Sequence, residues 1–396
     1  MAKTRPSKKK TKKEKSSRHS NRLIRELKED PMVLYEQATA LLQTGQPDAA
    51  LELVERALKL SSENSPNALI GLNLSGEVHV ELGNIPEARQ YFTRAVQLDP
   101  EGTIPDSQGG GPEKFLWLAQ LSEEGGKDSV AWFERGVAAL RRIIQSLEES
   151  GAQQNAEALE ERKAQMAQAL CSVVEIYMTD LSWEEDAESR CEALVTEALM
   201  VAPDSPECLQ TLASVRISQL RHDDARAALS RSMELWKDLP PEHPKVPAFA
   251  SRISLARLLM EVQMEAEALG VLERMILEDD HSVETWYLGG WCQYLLGRKA
   301  QESPSRDASQ EEQIQSTLLA SRGWLKQSIK LYDIVDYEDE KLKEHALELI
   351  EELEQELKDV IDDTEEGDGE ADAGNEDDWE DIEAVDSDDD HEMEDS

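Results

Sequence analysis

Apolar residues recur along most of this chain at the three- and four-residue spacing of amphipathic α-helices, and turn residues interrupt them at intervals. The clearest unit runs from Leu69 to Pro100. Small Gly76 and bulky Phe92 stand in its two halves, and Gly83 lies between them. Antiparallel helices pack closely where a small residue of one faces a large residue of the other. The unit is therefore predicted to be two packed helices, with Gly83 ending the first in the left-handed conformation.

The preceding stretch carries the same pattern, and its turn glycine, Gly45, stands 38 residues before Gly83. Pro47 and Pro86 follow these glycines in the first turn of the next helix, where a missing N–H is harmless. Small and apolar residues recur at matching offsets, namely Ala38, Ala50, Val54 and Ala57. Residues 31–100 thus resemble the tetratricopeptide repeat, a helix–turn–helix unit of about 34 residues.

Looser copies of this unit follow. Their marker residues are Phe115, Leu118, Ala119, Phe133 and Gly136 in the third copy; Leu170, Cys171, Val174, Cys191, Val195 and Ala198 in the fourth, whose turn is about eight residues longer; Leu209, Leu212, Ala213, Ala225 and Leu229 in the fifth; Leu255, Ala256, Leu259, Ala268 and Leu272 in the sixth; and Trp286, Gly290, Gly297, Ala320 and Trp324 in the seventh. Residues 338–359 predict a charged amphipathic helix that caps the last copy. The fold predicted for residues 23–360 is an all-α tetratricopeptide-repeat superhelical solenoid of about seven helix pairs plus this capping helix.

Three polar or proline-rich segments interrupt the helical pattern. Residues 101–113 predict a turn-rich loop, and the prolines of residues 238–247 exclude a helix there. Residues 298–312 are polar and predict a mobile insertion, which extends over about 300–316 and separates the two helices of the seventh copy.

Charge is distributed unevenly along the chain, whose formal net charge is −42. Residues 1–22 hold ten Lys and Arg against one acid, whereas residues 362–396 hold twenty Asp and Glu and no Lys or Arg. The body between them is acidic in its own right, which disfavours direct contact with nucleic acid or an anionic membrane and favours a basic ligand. The alternative is that the excess of Glu only keeps a helical protein soluble.

The two tails, residues 1–22 and 361–396, are predicted to be disordered because they offer little apolar surface to bury. The basic run Lys8, Lys9, Lys10, Lys12 and Lys13 is a candidate nuclear-localisation signal, with a nuclear import receptor as partner and a location in cytoplasm and nucleus. A plain solvated tail is the alternative. The acidic tail either screens a basic partner or serves solubility alone.

Motifs of catalysis and cofactor binding are missing from the sequence. It contains no phosphate-binding loop of the Walker type, no GxGxxG after a strand and no GxSxG. Its four cysteines form no CxxC pair, and its seven histidines lack metal-ligand spacing. We therefore expect no catalytic residues, no metal site and no cofactor. No apolar run has the length of a membrane span and no secretory signal is present, so an intracellular protein is expected.

Stacked repeats form a concave face lined by the first helix of each pair, and a partner is expected to bind there. The inward positions chosen as client-binding residues are Tyr35, Glu36, Glu77, Glu81, Trp117, Glu123, Glu175, Tyr287, Trp291 and Tyr294. Further inward positions are Thr39, Gln43, Ile70, Asn73, Leu74, Val80, Glu113, Gln120, Glu124, Gln168, Ser172 and Glu284. Carboxylates and aromatic faces both bind Lys and Arg, so the predicted ligand is an extended basic peptide. Trp291 and Tyr294 have an alternative interpretation as packing residues between repeats.

The organisation of the whole chain resembles the fungal assembly chaperones dedicated to ribosomal large-subunit protein four. The resemblance lies in MAKTRPSKKKTKKEK at the start, the degenerate repeats with LYEQATALLQTGQPDAALELVERAL, and DDWEDIEAVDSDDDHEMED in the tail. It implies a non-enzymatic protein that binds the long internal loop of this newly made ribosomal protein on its concave surface, keeps it soluble and escorts it to the nuclear pre-60S ribosome. The alternatives are a histone chaperone and a general tetratricopeptide-repeat scaffold or adaptor.

Overall fold

The computed structural model describes residues 30–61, 66–151, 155–302 and 307–358, and within these ranges it contains fifteen α-helices, one short 3-10 helix and no strand. The all-α prediction is confirmed. The chain divides into two units, Met1–Ser251 and Arg252–Ser396. Both tails, including Lys8 to Lys13, lie outside the described residues, as does every residue beyond 358.

The first unit is a series of five helix pairs. Its helices are α1 (Pro31–Gln43), α2 (Pro47–Leu60), α3 (Pro66–Glu81), α4 (Ile85–Leu98), α5 (Glu113–Gln120), α6 (Gly126–Glu149), α7 (Ala156–Met178), α8 (Ala187–Val201), α9 (Pro206–Ser218) and α10 (His222–Glu234). Each helix packs on the next one along the chain, and α1 also packs on α3 as α7 does on α9. The second unit contains the sixth and seventh pairs and the capping helix. Its helices are α11 (Phe249–Glu261), α12 (Glu265–Ile276), α13 (Val283–Gln301), α14 (Ala308–Val335) and α15 (Glu340–Glu356).

The second pair shows why the sequence folds in this way. A Cβ added to Gly76 of α3 would come within 2.5 Å of the Phe92 ring of α4, so only glycine allows this approach. Gly83 has φ +73°, in the left-handed region that ends α3, and Pro86 lies in the first turn of α4. Phe92 is fully buried as a result. The predicted small-against-large contact is confirmed.

Two of the three predicted interruptions keep their character. Residues 101–112 form the predicted turn-rich loop, with one short 3-10 helix in it, and residues 238–247 are non-helical. Residues 179–186 form the long turn predicted between the helices of the fourth pair. The prediction of an insertion over 300–316 is wrong in its extent, because α13 continues to Gln301 and α14 already begins at Ala308. Asp307 caps α14 by accepting a hydrogen bond from the backbone N–H of Gln310, whose side chain in turn accepts one from the Asp307 N–H. This capping box holds the helix start that the hydrophobic pattern alone missed.

The capping helix α15 has the apolar face predicted for it. Leu342, Ala346, Leu349, Ile350 and Leu353 are all buried. No helix within the described ranges combines the length and the apolar character needed to cross a bilayer. The four cysteines, Cys171, Cys191, Cys208 and Cys292, are buried and form no disulfide.

Candidate functional site

The structure distributes the predicted client-binding residues between the two units, and it buries two of them, Tyr35 and Tyr287. Tyr35 is only 2% exposed, and its hydroxyl lies 3.2 Å from Oγ of Ser61. Its ring occupies the space left free by the missing side chain of Gly71 on α3. The prediction that Tyr35 contacts a client is therefore wrong, because the neighbouring repeat covers it.

Glu123 is a second correction. The predicted inner helix of the third pair, α5, ends at Gln120, so Glu123 lies in the turn that follows. Its carboxylate forms an ion pair with Arg89 of α4, at 2.8 Å, and thus faces the second helix of the preceding pair. Glu36, Glu81 and Glu175 are exposed on the first helices of their pairs, as predicted.

Glu77 and Trp117 mark the most informative part of the first unit. Glu77 of α3 is half-buried, and it forms no ion pair or side-chain hydrogen bond within the described residues. Burial raises the pKa of its carboxyl group to about 7, and the negative charge of Glu113 on α5 adds to the rise. A partly buried carboxylate that lacks a cation is stabilised when a cation approaches it.

A cavity of about 240 Å³ lies beside these residues, between α5 and α7. It is lined by Glu113, Leu116, Trp117, Gln120, Phe133, Gln165, Gln168, Ala169 and Ser172. Five of these were chosen from the sequence as inward positions, and the fold brings them together. Trp117 packs against Phe92 of α4, whose ring is nearly parallel to the indole at a centroid distance of 6.0 Å.

The glycine-rich loop between α4 and α5 covers other positions that were predicted to face a ligand. The side-chain amide of Asn73 donates a hydrogen bond to the carbonyl of Gly109, at 2.7 Å, and the backbone of Ile70 lies directly against the same glycine. Ile70 and Asn73 are therefore covered by the chain's own loop, not by a partner. The fold decides this, since the two sides of the contact are 36 residues apart.

A buried ion pair fastens this loop. Lys114 Nζ lies 2.8 Å from Oδ2 of Asp99, and both side chains are almost completely buried. The ammonium also donates to the carbonyl of Gly111, while Oδ1 of Asp99 accepts from the backbone N–H groups of Thr103 and Ile104. Sequence analysis missed this pair, although a lysine beside an apolar run is its visible signal. The ion pair and these hydrogen bonds hold the loop in its position next to the cavity.

Arg162 of α7 connects the loop to the cavity. Its guanidinium donates to Asp106 in the loop and to Glu113 at the cavity mouth, both at 2.7 Å. This region thus holds the carboxylates of Glu77, Glu113 and Asp106 and the cation Arg162, while the nearby Lys114 is already paired with Asp99. The carboxylates outnumber the cation, so this part of the first unit is negatively charged.

In the second unit, the aromatic row of α13 faces the capping helix. The Tyr287 hydroxyl lies 2.7 Å from Nδ1 of His345, and the Tyr294 hydroxyl donates to Glu352 at 2.9 Å. Trp291 meets His345 edge-on, with ring centroids 5.1 Å apart. These contacts agree with the packing alternative for Trp291 and Tyr294. Tyr287 is only 9% exposed, and its prediction as an open client contact is corrected because the capping helix packs against it. Trp291 and Tyr287 also line a larger cavity of about 600 Å³ at α11, α13 and α15.

Comparisons with known proteins agree with this architecture. The family model described as "Tetratricopeptide repeat" matches residues 35–103. A protein of Emericella nidulans, described as "Probable assembly chaperone of rpl4", is 56% identical over 407 aligned positions that cover 100% of both chains. A Schizosaccharomyces pombe protein of the same description is 33% identical and covers 76% of this chain and 84% of its own length.

A solved structure of residues 1–338 of an assembly chaperone of RpL4 (Acl4) is also similar. It is 55% identical, has a TM-score of 0.66, and covers 70% of this chain and 100% of its own. An identity of 56% over both entire chains, together with the two further matches and the helix-pair fold, identifies the family: the chain belongs to the tetratricopeptide-repeat family of rpl4 assembly chaperones.

Proposed function

We propose that this protein is a non-enzymatic chaperone of the ribosomal protein rpl4, and that it binds a positively charged segment of that client at the groove around Glu77 and Trp117. Membership of the family supports the client's identity. The observation that carries the site is Glu77, a half-buried carboxylate without a cation, next to a cavity with an aromatic wall. A free ribosomal protein is basic and exposes segments that fold only on RNA. An acidic groove shields those charges until RNA competes for them.

The test is calorimetry of the purified full chain with rpl4, and with core histones as the competing client class. Tight binding of rpl4 and much weaker binding of histones are expected. The charge reversal Glu77→Lys with Glu81→Lys is expected to weaken rpl4 binding at least tenfold, because close charge pairs contribute more than 1 kcal/mol. The control is Glu52→Lys with Glu55→Lys on α2, which changes the net charge equally at exposed positions of a second helix.

Two results would contradict the proposal. Equal affinity for histones and rpl4 would contradict rpl4 as the specific client. Equal losses of rpl4 affinity in the two double variants would contradict binding at the groove.

The proposed role includes escort of the client from cytoplasm to nucleus and delivery to the pre-60S ribosome. The basic run from Lys8 to Lys13 supports an import step, since such runs are recognised by import receptors. Replacement of Lys8, Lys9, Lys10, Lys12 and Lys13 by alanine in a fluorescent fusion is expected to reduce its nuclear fraction. An unchanged nuclear fraction of the alanine variant would contradict a role of these lysines in import.

A further inference from the structure

The cavity between α5 and α7 is too small for an ordinary small-molecule ligand. Its volume is about 240 Å³, whereas sites for drug-sized molecules and cofactors span roughly 300–1,000 Å³. One long side chain of a bound peptide matches this volume better than a whole ligand does. The identity of that side chain follows from the walls and from the charges at the mouth.

The walls combine a flat aromatic surface with amide groups. Trp117 supplies the indole, while Leu116 and Phe133 complete the apolar part. Gln120 and Gln168 line the same space, and within the described residues their side chains make no hydrogen bond. Their carbonyl oxygens are thus available as acceptors, whereas a purely apolar side chain would leave them without partners.

The mouth carries more negative than positive charge. Glu113 lines the cavity, and it is close enough to Glu77 on α3 for its charge to disfavour ionisation of Glu77. Arg162 is already shared between Glu113 and Asp106. The remaining cation nearby, Lys114, is buried against Asp99 and unavailable to the groove. A bound cation would therefore relieve the repulsion between carboxylates.

We propose that this cavity is an arginine subsite, in which the guanidinium of one client arginine stacks on Trp117, lies near the carboxylates of Glu113 and Glu77, and donates to the amide oxygens of Gln120 and Gln168. The inference rests on the proposed function, since it assumes a basic client segment in the groove. Arginine fits better than lysine for three reasons. Its planar group stacks on an indole, it presents five donors in one plane, and it is more weakly hydrated than an ammonium.

The experiment uses overlapping peptides that tile the sequence of rpl4, with binding to the full chain measured by calorimetry. In each binding peptide every arginine is replaced in turn by lysine, which keeps the charge and removes the planar group. At one position the replacement is expected to weaken binding about tenfold, and at the others much less. In the variant Trp117→Leu that difference between arginine and lysine is expected to vanish.

The matched control is Trp183→Leu, since Trp183 is 62% exposed in the turn between α7 and α8 and lines neither cavity described above. This variant should keep the full difference. Should Trp117→Leu fail to fold, as judged by circular dichroism, Gln168→Leu replaces it, because Gln168 lies at the same cavity and is exposed.

Each outcome has one meaning. Equal binding of arginine and lysine peptides at every position overturns the subsite and leaves the chaperone function intact. The subsite is also overturned if the difference between arginine and lysine peptides persists undiminished in Trp117→Leu. If neither rpl4 nor any of its peptides binds the unaltered chain, the proposed function itself fails.

Discussion

At the scale of single residues, Glu77 shows how burial prepares a surface group for a ligand. The rise of its pKa to about 7 means that the carboxyl group is only partly ionised at neutral pH. A client cation binds the ionised form better and therefore lowers this pKa. Binding of the client and loss of a proton from Glu77 are consequently linked, which makes affinity depend on pH.

We expect the affinity for a basic rpl4 peptide to rise as pH increases from 6 to 8, by up to about tenfold, because ionisation of Glu77 is completed over this range. Calorimetry at pH 6, 7 and 8 measures the change. Glu77→Gln should bind more weakly at pH 8 and flatten this dependence, while Glu81→Gln, at an exposed position on the same helix, should leave it in place. An equally steep profile in Glu77→Gln would show that another group carries the pH dependence.

The ion pair of Lys114 and Asp99 is a residue-scale feature of another kind, since it stabilises the free protein. Lys114→Ala leaves the Asp99 carboxylate buried without its cation, although two backbone N–H groups still bind it. We expect unfolding in urea to become easier by about 3 kcal/mol. The control Lys127→Ala breaks an ion pair with Glu184 in which the lysine is 73% exposed, and a much smaller loss is expected because solvent screens that pair. Equal losses of unfolding free energy in Lys114→Ala and Lys127→Ala would contradict a dependence of the effect on burial.

At the scale of helices, α15 completes the second unit. The helix α15 buries an apolar stripe, and its acidic residues bind the C-terminal part of α13. There Arg298 forms ion pairs with Glu352 and Glu356 of α15, both at 2.6 Å. A terminal repeat without such a helix would expose the aromatic row of α13 to solvent. The helix therefore serves primarily as a cap and removes Tyr294 from the list of free ligand contacts.

Two leucines of α15 test the cap directly. Leu353 is fully buried and Leu347 is 46% exposed on the same helix. Leu353→Ala is expected to destabilise the second unit by about 2–4 kcal/mol, since it removes buried surface and leaves a cavity. Leu347→Ala should change stability by less than about 0.5 kcal/mol. Urea titrations followed by circular dichroism make the comparison, and similar midpoints for the two variants would argue against a packed cap.

At the scale of the whole molecule, charge governs the approach of the client. A chain of net charge −42 attracts a basic protein over distances longer than any single contact. Salt screens this attraction, so the association rate is expected to fall at least tenfold between about 0.05 and 0.5 M salt while the dissociation rate changes less. Stopped-flow fluorescence with rpl4 measures both rates.

The acidic tail offers a matched variant for this prediction. Residues 361–396 hold 20 of the 84 acids and no Lys or Arg. Their deletion is expected to slow association at low salt and to reduce its salt dependence, with little effect on dissociation. A tail that contacts the client directly would instead accelerate dissociation when it is deleted, and this result would contradict a role limited to electrostatic attraction.

Sequence and structure contributed different parts of this picture. The contact of Gly76 with Phe92, the turn at Gly83 and the buried face of α15 follow from local patterns, because helix periodicity and turn chemistry depend on residues close in sequence. The charge distribution is likewise a property of composition. These features were sufficient for the helix-pair fold and for a preference for a basic partner.

Only the tertiary structure decided which inward positions remain open. It buried Tyr35 beneath the next repeat, turned Glu123 toward α4, laid the loop around Gly109 over Asn73 and paired Tyr287 with His345, 58 residues away. A repeat pattern predicts the direction of a side chain but not the segment that packs against it. Such long-range contacts depend on loop paths and helix lengths, which are set by the packing of the whole unit and leave little trace in local periodicity.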